Sequence, residues 1–348
     1  MLLNTQNSMN TSVRIIEDEK EREAYDACAI HPMQSWAWGD VRIATGIRVV
    51  RFGRYDGERL SAVYQMTVHK LPKVSFFIGY IPRSGIPDKE TESFLADWAR
   101  KEKIIFIKWE PYQELASDMG HEKLSDIFSS MRISHHPLFT EWNQEVDLTA
   151  SADEILKRFK KNTRYSIRHA EQAGVTTCEM STDEGFQIFA DLYFSTANRQ
   201  KYHGHTRKYH ETIWRVLSRA GIARIFVAYY EGKPHAAYEI FFWHDRAYYP
   251  YSGSSSTDRH IPATQYLMWH VIQEAKKSGA KTLDLWGSLP PEYDKKHPWA
   301  GFTLFKSGFG TRFVHMHPST DQVIFGGLYR LYSIAYMLRA LIWKGGIV

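Results

Sequence analysis

Apolar positions along this chain follow two rhythms, alternation in twos and clustering in threes and fours, and the rhythms change in the same order twice. In the first half, Val13 to Ile16 reads as a short strand and Trp36 to Ile43 as a helix. Two β-rich runs follow, Arg48 to Tyr55 and Ser61 to Val68, joined across the turn signal Asp56-Gly57. Thr91 to Lys101 puts Phe94, Leu95 and Trp98 on one helical face, and Ile104 to Ile107 is an apolar run short enough for a buried strand, closed by Glu110-Pro111. The second half repeats the plan. Arg224 to Tyr230, Ala236 to Trp243 and Ala247 to Tyr251 read as strands, with Glu231-Gly232-Lys233 turning the first pair. Pro262 opens a helix through Gln265, Met268 and Trp269 to Lys277, Gly279 stops it, and Lys281 to Trp286 is the next strand. Strand, strand, helix, strand in both halves predicts a duplicated α/β unit.

Two helices are signalled between the halves. Ser151-Ala152-Asp153-Glu154 is a capping box, and Gly174 closes the helix it opens. Ser181-Thr182-Asp183-Glu184 is a second capping box before Phe186, Phe189 and Tyr193. In the first of these helices, read as one element from Asp153 to Ala173, Leu156, Phe159, Ile167 and Ala170 form an apolar face, with Thr163 among them. Lys157, Lys161, Arg164 and Arg168 recur at spacings of four, three and four and form a cationic stripe on another face. Such a stripe repels itself, so a phosphate-bearing partner such as RNA would favour it; a solvated face and an anionic lipid surface are the alternatives. The end of the chain, Ile324 to Val348, carries charge too often to span a bilayer. It is expected to pack as a core helix, with a helix grazing a membrane surface as the alternative.

Composition narrows the class. With 348 residues, 43% hydrophobic and 24% charged, the chain is globular and long enough for two domains. A net charge of +5 suits an anionic partner without demanding nucleic acid. Two scattered cysteines, Cys28 and Cys178, fit a reducing compartment, and the polar start from Met1 to Ser12 has no signal-peptide core. The histidine pairs His203-Gly204-His205 and His315-Met316-His317 lack a carboxylate or cysteine at metal spacing and read as structural or solvated.

The candidate chemistry lies in Gly301-Phe302-Thr303-Leu304-Phe305-Lys306-Ser307-Gly308-Phe309-Gly310, one lysine among aromatics and glycines. A charge beside a water-excluding wall acts strongly on a phosphate or a developing oxyanion. The competing reading is a strand and turn whose lysine is solvated. Upstream lie Leu283-Asp284-Leu285-Trp286-Gly287 and, near the start, Gln34-Ser35-Trp36-Ala37-Trp38-Gly39-Asp40-Val41-Arg42. Together with the Lys157 to Arg168 run, in this order over roughly residues 30 to 320, these segments resemble the FemABX family of peptidoglycan bridge-forming transferases. That family moves an amino acid from an aminoacyl-tRNA onto the peptide stem of a cell-wall precursor.

The resemblance implies an α/β (α+β) fold of two tandem acetyltransferase-like (GNAT) domains with no coiled-coil arm. The first is expected over 1–147, completed by 315–348, and the second over 148–314, bearing the tRNA-facing basic helix. It implies that Lys306 with Phe305 serves the tRNA acceptor end and the developing charge. Arg42, where the family usually has lysine, and Arg199 are implied to hold the acceptor's diphosphate, and Tyr251 to line the acceptor site. Glu110 stands in that site where the family often has aspartate; its extra methylene shifts the oxygens and argues against a general base. Lys157, Lys161, Arg164 and Arg168 are implied to bind tRNA. No cofactor and no metal are expected. The implied partners are aminoacyl-tRNA and a UDP-MurNAc-peptide or lipid-linked precursor, for a cytoplasmic monomer with peripheral contact at the inner face of the plasma membrane as an option. Two other readings stand beside it. An acyl-CoA-dependent N-acyltransferase would need an Arg/Gln-x-x-Gly-x-Gly/Ala phosphate loop at a helix start, and no clear copy is present. A non-enzymatic RNA- or membrane-binding protein would leave the Phe305-Lys306 and Trp286-Gly287 segments unexplained.

Overall fold

The computed structural model describes residues 11–115, 131–202 and 204–342, with side chains as far as 338. His203 and most of the polar start lie outside the described residues. In chain order the strands are β1 Thr11–Ile15, β2 Arg48–Asp56, β3 Arg59–Lys70, β4 Phe77–Pro82, β5 Ile104–Glu110, β6 Met131–Ile133 and β7 Trp142–Asp147. They continue as β8 Thr176–Glu179, β9 Ala223–Tyr230, β10 Lys233–Trp243, β11 Arg246–Ser254, β12 Thr282–Ser288, β13 Arg312–His315 and β14 Thr320–Val323. The helices are α1 Arg22–Cys28, α2 Trp36–Ala44, α3 Lys89–Lys101, α4 Ala152–Arg158, α5 Lys161–Gln172 and α6 Asp183–Gln200. After them come α7 Arg207–Arg219, α8 Ala263–Lys277, α9 Ala300–Ser307 and α10 Gly326–Ile342.

The chain forms two units, one of residues 1–138 with 317–344 and one built on 139–316. The first contains the sheet β1-β2-β3-β4-β5-β14-β6, the second the sheet β13-β7-β12-β11-β10-β9-β8. Each is antiparallel except for one parallel pair, β4 with β5 and β11 with β12. A parallel pair needs a crossover connection, and α3 and α8 supply the two. The repeat of hydrophobic rhythm in the sequence is therefore a repeat of topology. The first core is built around Phe52, Tyr64, Met66, Leu95 and Trp109, the second around Phe159, Phe226, Tyr238, Leu267 and Leu283.

Local chemistry accounts for several differences from the sequence reading. Trp142–Asp147, expected to end the first domain, pairs with β12 and β13, so the second unit starts before it. Ser151 and Glu154 form the expected capping box. The second one does not form: Thr182 caps α6 by accepting from Gly185 N–H, while Ser181 Oγ donates to Glu179. The expected single basic helix is broken at Phe159–Lys160. Phe159 is buried edge-on against Trp269 and Phe309, and Lys160 N–H donates to Gly308 O at 2.9 Å. The Arg164 guanidinium then satisfies the open carbonyls of Lys157 and Phe159. Among the described residues the longest helix, α6, has 18 residues, too few for a coiled-coil arm.

Candidate active site

The Gly301–Gly310 segment is a helix followed by a turn, and its lysine is buried; both the strand assignment and the solvated lysine are overturned. Gln144 pins the segment at both ends, its amide donating to Thr303 O and its oxygen accepting from Thr311 Oγ1. Gly308 permits the close approach of α5, since a Cβ there would collide with Thr163 Oγ1. Thus the two motifs that the sequence kept 140 residues apart pack on one another inside one unit.

Lys306 is 7% exposed, and Nζ donates to Gly287 O at 2.6 Å. The ring beside Nζ is that of Phe302, with its centroid 4.9 Å away. Phe305, assigned to that position from the sequence, instead packs against Phe309 at 5.1 Å and joins the core. One helical turn separates the two phenylalanines from opposite surroundings, and the sequence segment alone does not show which faces the lysine. Burial pulls the Lys306 pKa down from the ordinary lysine range to about 7, against the upward pull of Asp284.

The carbonyl that Lys306 reaches is presented by an unusual stretch of β12. Asp284 is fully buried, accepting from Asn143 Nδ2 at 2.9 Å and from Trp286 N–H at 2.6 Å. The second of these bonds holds Trp286 at φ +68, a left-handed conformation that is strained for a bulky side chain. The ladder with β7 shifts register between Asp284 and Gly287. At Gly287 a Cβ would collide with Thr140 Oγ1, so only glycine fits that approach. Asp284, Trp286 and Gly287 thus aim one carbonyl at one ammonium.

Tyr251 stands opposite Glu239 in the β10–β11 pair. Its ring meets His210 edge-on at 4.8 Å and Tyr193 at 6.1 Å. Glu239 is fully buried with no hydrogen-bond partner for either oxygen, and burial pushes its pKa up to about 8. Both nitrogens of buried His210 are likewise unpartnered, and burial pulls its pKa down to about 4. Sequence reasoning missed both; the one signal was a lone carboxylate inside the apolar run Ala236 to Trp243. Arg199 is anchored at the end of β11, its guanidinium donating to Ser254 O at 3.2 Å. It borders a cavity of about 300 Å³ at the first turn of α8, together with His235, Thr257 and Arg259.

The first unit holds the remaining candidates. Glu110 is 3% exposed, with Oε2 accepting from Tyr80 Oη and Oε1 from Leu138 N–H, both at 2.5 Å. With both oxygens engaged, this carboxylate orients its neighbours better than it would abstract a proton. Burial, and after it Glu110, raises the Tyr80 pKa well above the usual phenol range, while the charge of Arg42 acts on the same hydroxyl in the opposite sense. Glu110 touches this hydroxyl, and the charges of Arg83 and, more weakly, Arg42 act on it; the sequence did not single Tyr80 out. Buried Arg83, held at φ +50, donates its N–H to Glu110 O at 2.6 Å.

Of the basic residues, Lys157, Lys161 and Arg168 are exposed. Arg164 is half-buried and engaged with backbone carbonyls. Among the described residues no group of His, Cys, Asp or Glu could hold a metal ion, and no helix is long and apolar enough to cross a membrane.

Comparison with known proteins agrees with this fold. The acetyltransferase (GNAT) domain family matches residues 157–296. Lipid II:glycine glycyltransferases are similar over most of the chain: that of Staphylococcus aureus is 24% identical and that of Staphylococcus epidermidis 22%, each covering 86% of this chain and 89% of the relative. The crystal structure of FemX superimposes with a TM-score of 0.81 at 20% identity, over 93% of this chain and 99% of that one. With two GNAT-like units and relatives that are glycyltransferases, the chain is a transferase of the acyl-transferring class. Over most of its length the chain is similar to aminoacyltransferases of the FemABX family.

Proposed function

We propose that this chain transfers an amino acid from aminoacyl-tRNA to an amine on the stem peptide of a peptidoglycan precursor, in the synthesis of cell-wall cross-bridges. The observation that carries the reading is the buried Lys306 ammonium at the carbonyl of Gly287. In the reaction the amine attacks the ester carbonyl and the C–N bond forms. Negative charge develops on the carbonyl oxygen, and the C–O bond to the ribose breaks. A lysine in a water-excluded wall supplies positive charge to that oxygen. With a pKa near 7 it can also give its proton to the departing ribose oxygen and recover one from the amine.

Lys157, Lys161 and Arg168 are assigned to tRNA phosphates, and Arg164 to holding the break that carries them. Arg42 and Arg199 are assigned to the anionic acceptor, with Tyr251 lining its site and Glu110 orienting Tyr80. The names of the relatives support a lipid-linked acceptor, which calls for work in the cytoplasm at the inner face of the membrane. The test is to incubate the pure protein with mixed charged tRNA and a panel of soluble and lipid-linked muropeptide precursors and to identify products by mass. A product heavier by one aminoacyl residue supports the reading; no product with any precursor contradicts it. The GNAT match at 157–296 favours a second reading, acyl-CoA-dependent N-acylation, so the same panel is run with acetyl-CoA in place of charged tRNA.

A further inference from the structure

The C-terminal helix α10 has two faces of different fate. Its inner face packs on β5: Tyr329 and Tyr332 each meet the Phe106 ring at 5.2 Å. Further along, the Tyr336 ring meets that of His136 at 3.6 Å, tilted by 35°. A helix with one face buried ordinarily turns polar residues outward. This one turns out Leu331, Ile334, Met337 and Leu338, which are 65%, 50%, 52% and 54% exposed. At 100° per residue they fall on one continuous arc, shared with Arg330. Scattered apolar residues on a surface need no explanation, but a contiguous stripe of four does.

Charge identifies what covers it. From Gly326 to Val348 the sequence has no Asp or Glu, and it has Arg330, Arg339 and Lys344. A helix face that combines exposed aliphatic side chains with Arg330, in a segment without a carboxylate side chain, is complementary to a layer of lipid headgroups over hydrocarbon. A second copy of the chain fits less well. Like charges would face one another, and a stable dimer needs about 800 Å² from each partner, more than four half-exposed side chains offer.

We propose that the outward face of α10 docks on the surface of an anionic phospholipid bilayer, with Leu331, Ile334 and Leu338 entering the headgroup boundary and Arg330 meeting phosphates. The helix lies along the surface and does not cross it. This inference stands apart from the transfer reaction, because docking requires neither substrate.

The experiment is co-sedimentation of the full chain with vesicles of mixed phosphatidylglycerol and phosphatidylcholine, and with vesicles of phosphatidylcholine alone. The parent is expected to bind the mixed vesicles and to bind the neutral ones at least tenfold more weakly. Leu331→Ser/Ile334→Ser/Leu338→Ser changes exposed positions only and is expected to lose vesicle binding at least tenfold, with an unchanged melting temperature. Arg330→Gln is expected to weaken binding to the mixed vesicles alone. A parent that stays in the supernatant with both vesicles overturns the proposal, as does a triple variant that sediments like the parent. A parent that dimerises through this face, shown by a triple variant that is monomeric in analytical ultracentrifugation and unchanged with vesicles, overturns it in favour of a second copy.

Discussion

Lys306 donates a 2.6 Å hydrogen bond to the carbonyl of Gly287, a residue that follows a tryptophan held in a left-handed conformation. The lysine comes from a short helix and the carbonyl from a bulged strand, and neither is held by its own element alone. Asp284 holds the backbone turn, Thr140 leaves no room for a side chain at 287, and Gln144 ties down the helix.

Gly287→Ala tests that construction. Its Cβ would meet Thr140 Oγ1, and relief requires the carbonyl or the threonine to move. Overpacking of this kind costs about 1–3 kcal/mol, so a modest fall in melting temperature is expected. The fall in kcat is expected to be larger than that stability loss explains at working temperature, because the lysine loses its anchor. Gly287→Ala/Thr140→Ala removes the oxygen that the new Cβ meets and is expected to recover stability before activity. Equal kcat in Gly287→Ala and the parent would show that this carbonyl is incidental.

Lys306 also makes a prediction about stability. Its folded pKa lies near 7, far below the unfolded lysine value, so the unfolded chain binds the extra proton between those two values. The destabilisation is fully present below pH 7 and is relieved as pH rises toward the unfolded value. Lys306→Met is therefore expected to melt above the parent near pH 6, with the difference shrinking as pH rises to 9 and beyond. Thermal melts across that range check it; a variant that melts below the parent at every pH would mean the lysine is not a strained, buried charge.

Glu239 gives the opposite slope. Its folded pKa is raised to about 8, so the unfolded chain releases a proton that the folded one keeps, and stability falls as pH rises from about 5 to 8. Glu239→Gln removes that dependence. The variant is expected to match the parent near pH 5 and exceed it near pH 8, measured by chemical denaturation at each pH. Identical pH dependence in both proteins would place the titrating group elsewhere.

Much of this fold was legible because hydrophobic rhythm reports burial directly: the strands β9, β10 and β12, the helix α8 and the Ser151 capping box lie where the pattern puts them. The motifs named residues that the fold brings together: Lys306 and the Asp284-Leu285-Trp286-Gly287 run meet in one constellation. The rest depended on tertiary contacts. Nothing local in Lys157-Arg158-Phe159-Lys160-Lys161 breaks a helix; the break arises where Phe159 enters the core and Gly308 O takes the Lys160 amide. Likewise, which phenylalanine faces Lys306 depends on helical phase, and the glycines of that segment suggested a turn. Glu239 and His210 were hidden because a carboxylate or an imidazole among apolar residues shows its lack of partners only once the partners are placed.

The basic residues make a salt-dependent prediction. Lys157, Lys161 and Arg168 are exposed, so Lys157→Gln/Lys161→Gln/Arg168→Gln is expected to stay folded, while Arg164 is left in place as the tie between α4 and α5. If each of the three cations neutralises one tRNA phosphate, the slope of log affinity against log salt flattens by about two to three units. Equal slopes for parent and triple variant would assign those residues to a solvated face.

The most direct test of the account is single-turnover transfer from charged tRNA to the precursor that the product panel identifies, comparing the parent with Lys306→Met at saturating concentrations of both substrates. Losing an oxyanion-stabilising donor lowers the chemical rate by about a hundred- to a thousandfold. That loss is the expected result, with tRNA and acceptor affinity unchanged and with Lys306→Arg recovering part of the rate, since a planar fork cannot reproduce a compact ammonium. Transfer by Lys306→Met at the parental rate would contradict the account and leave Lys306 as a buried structural lysine.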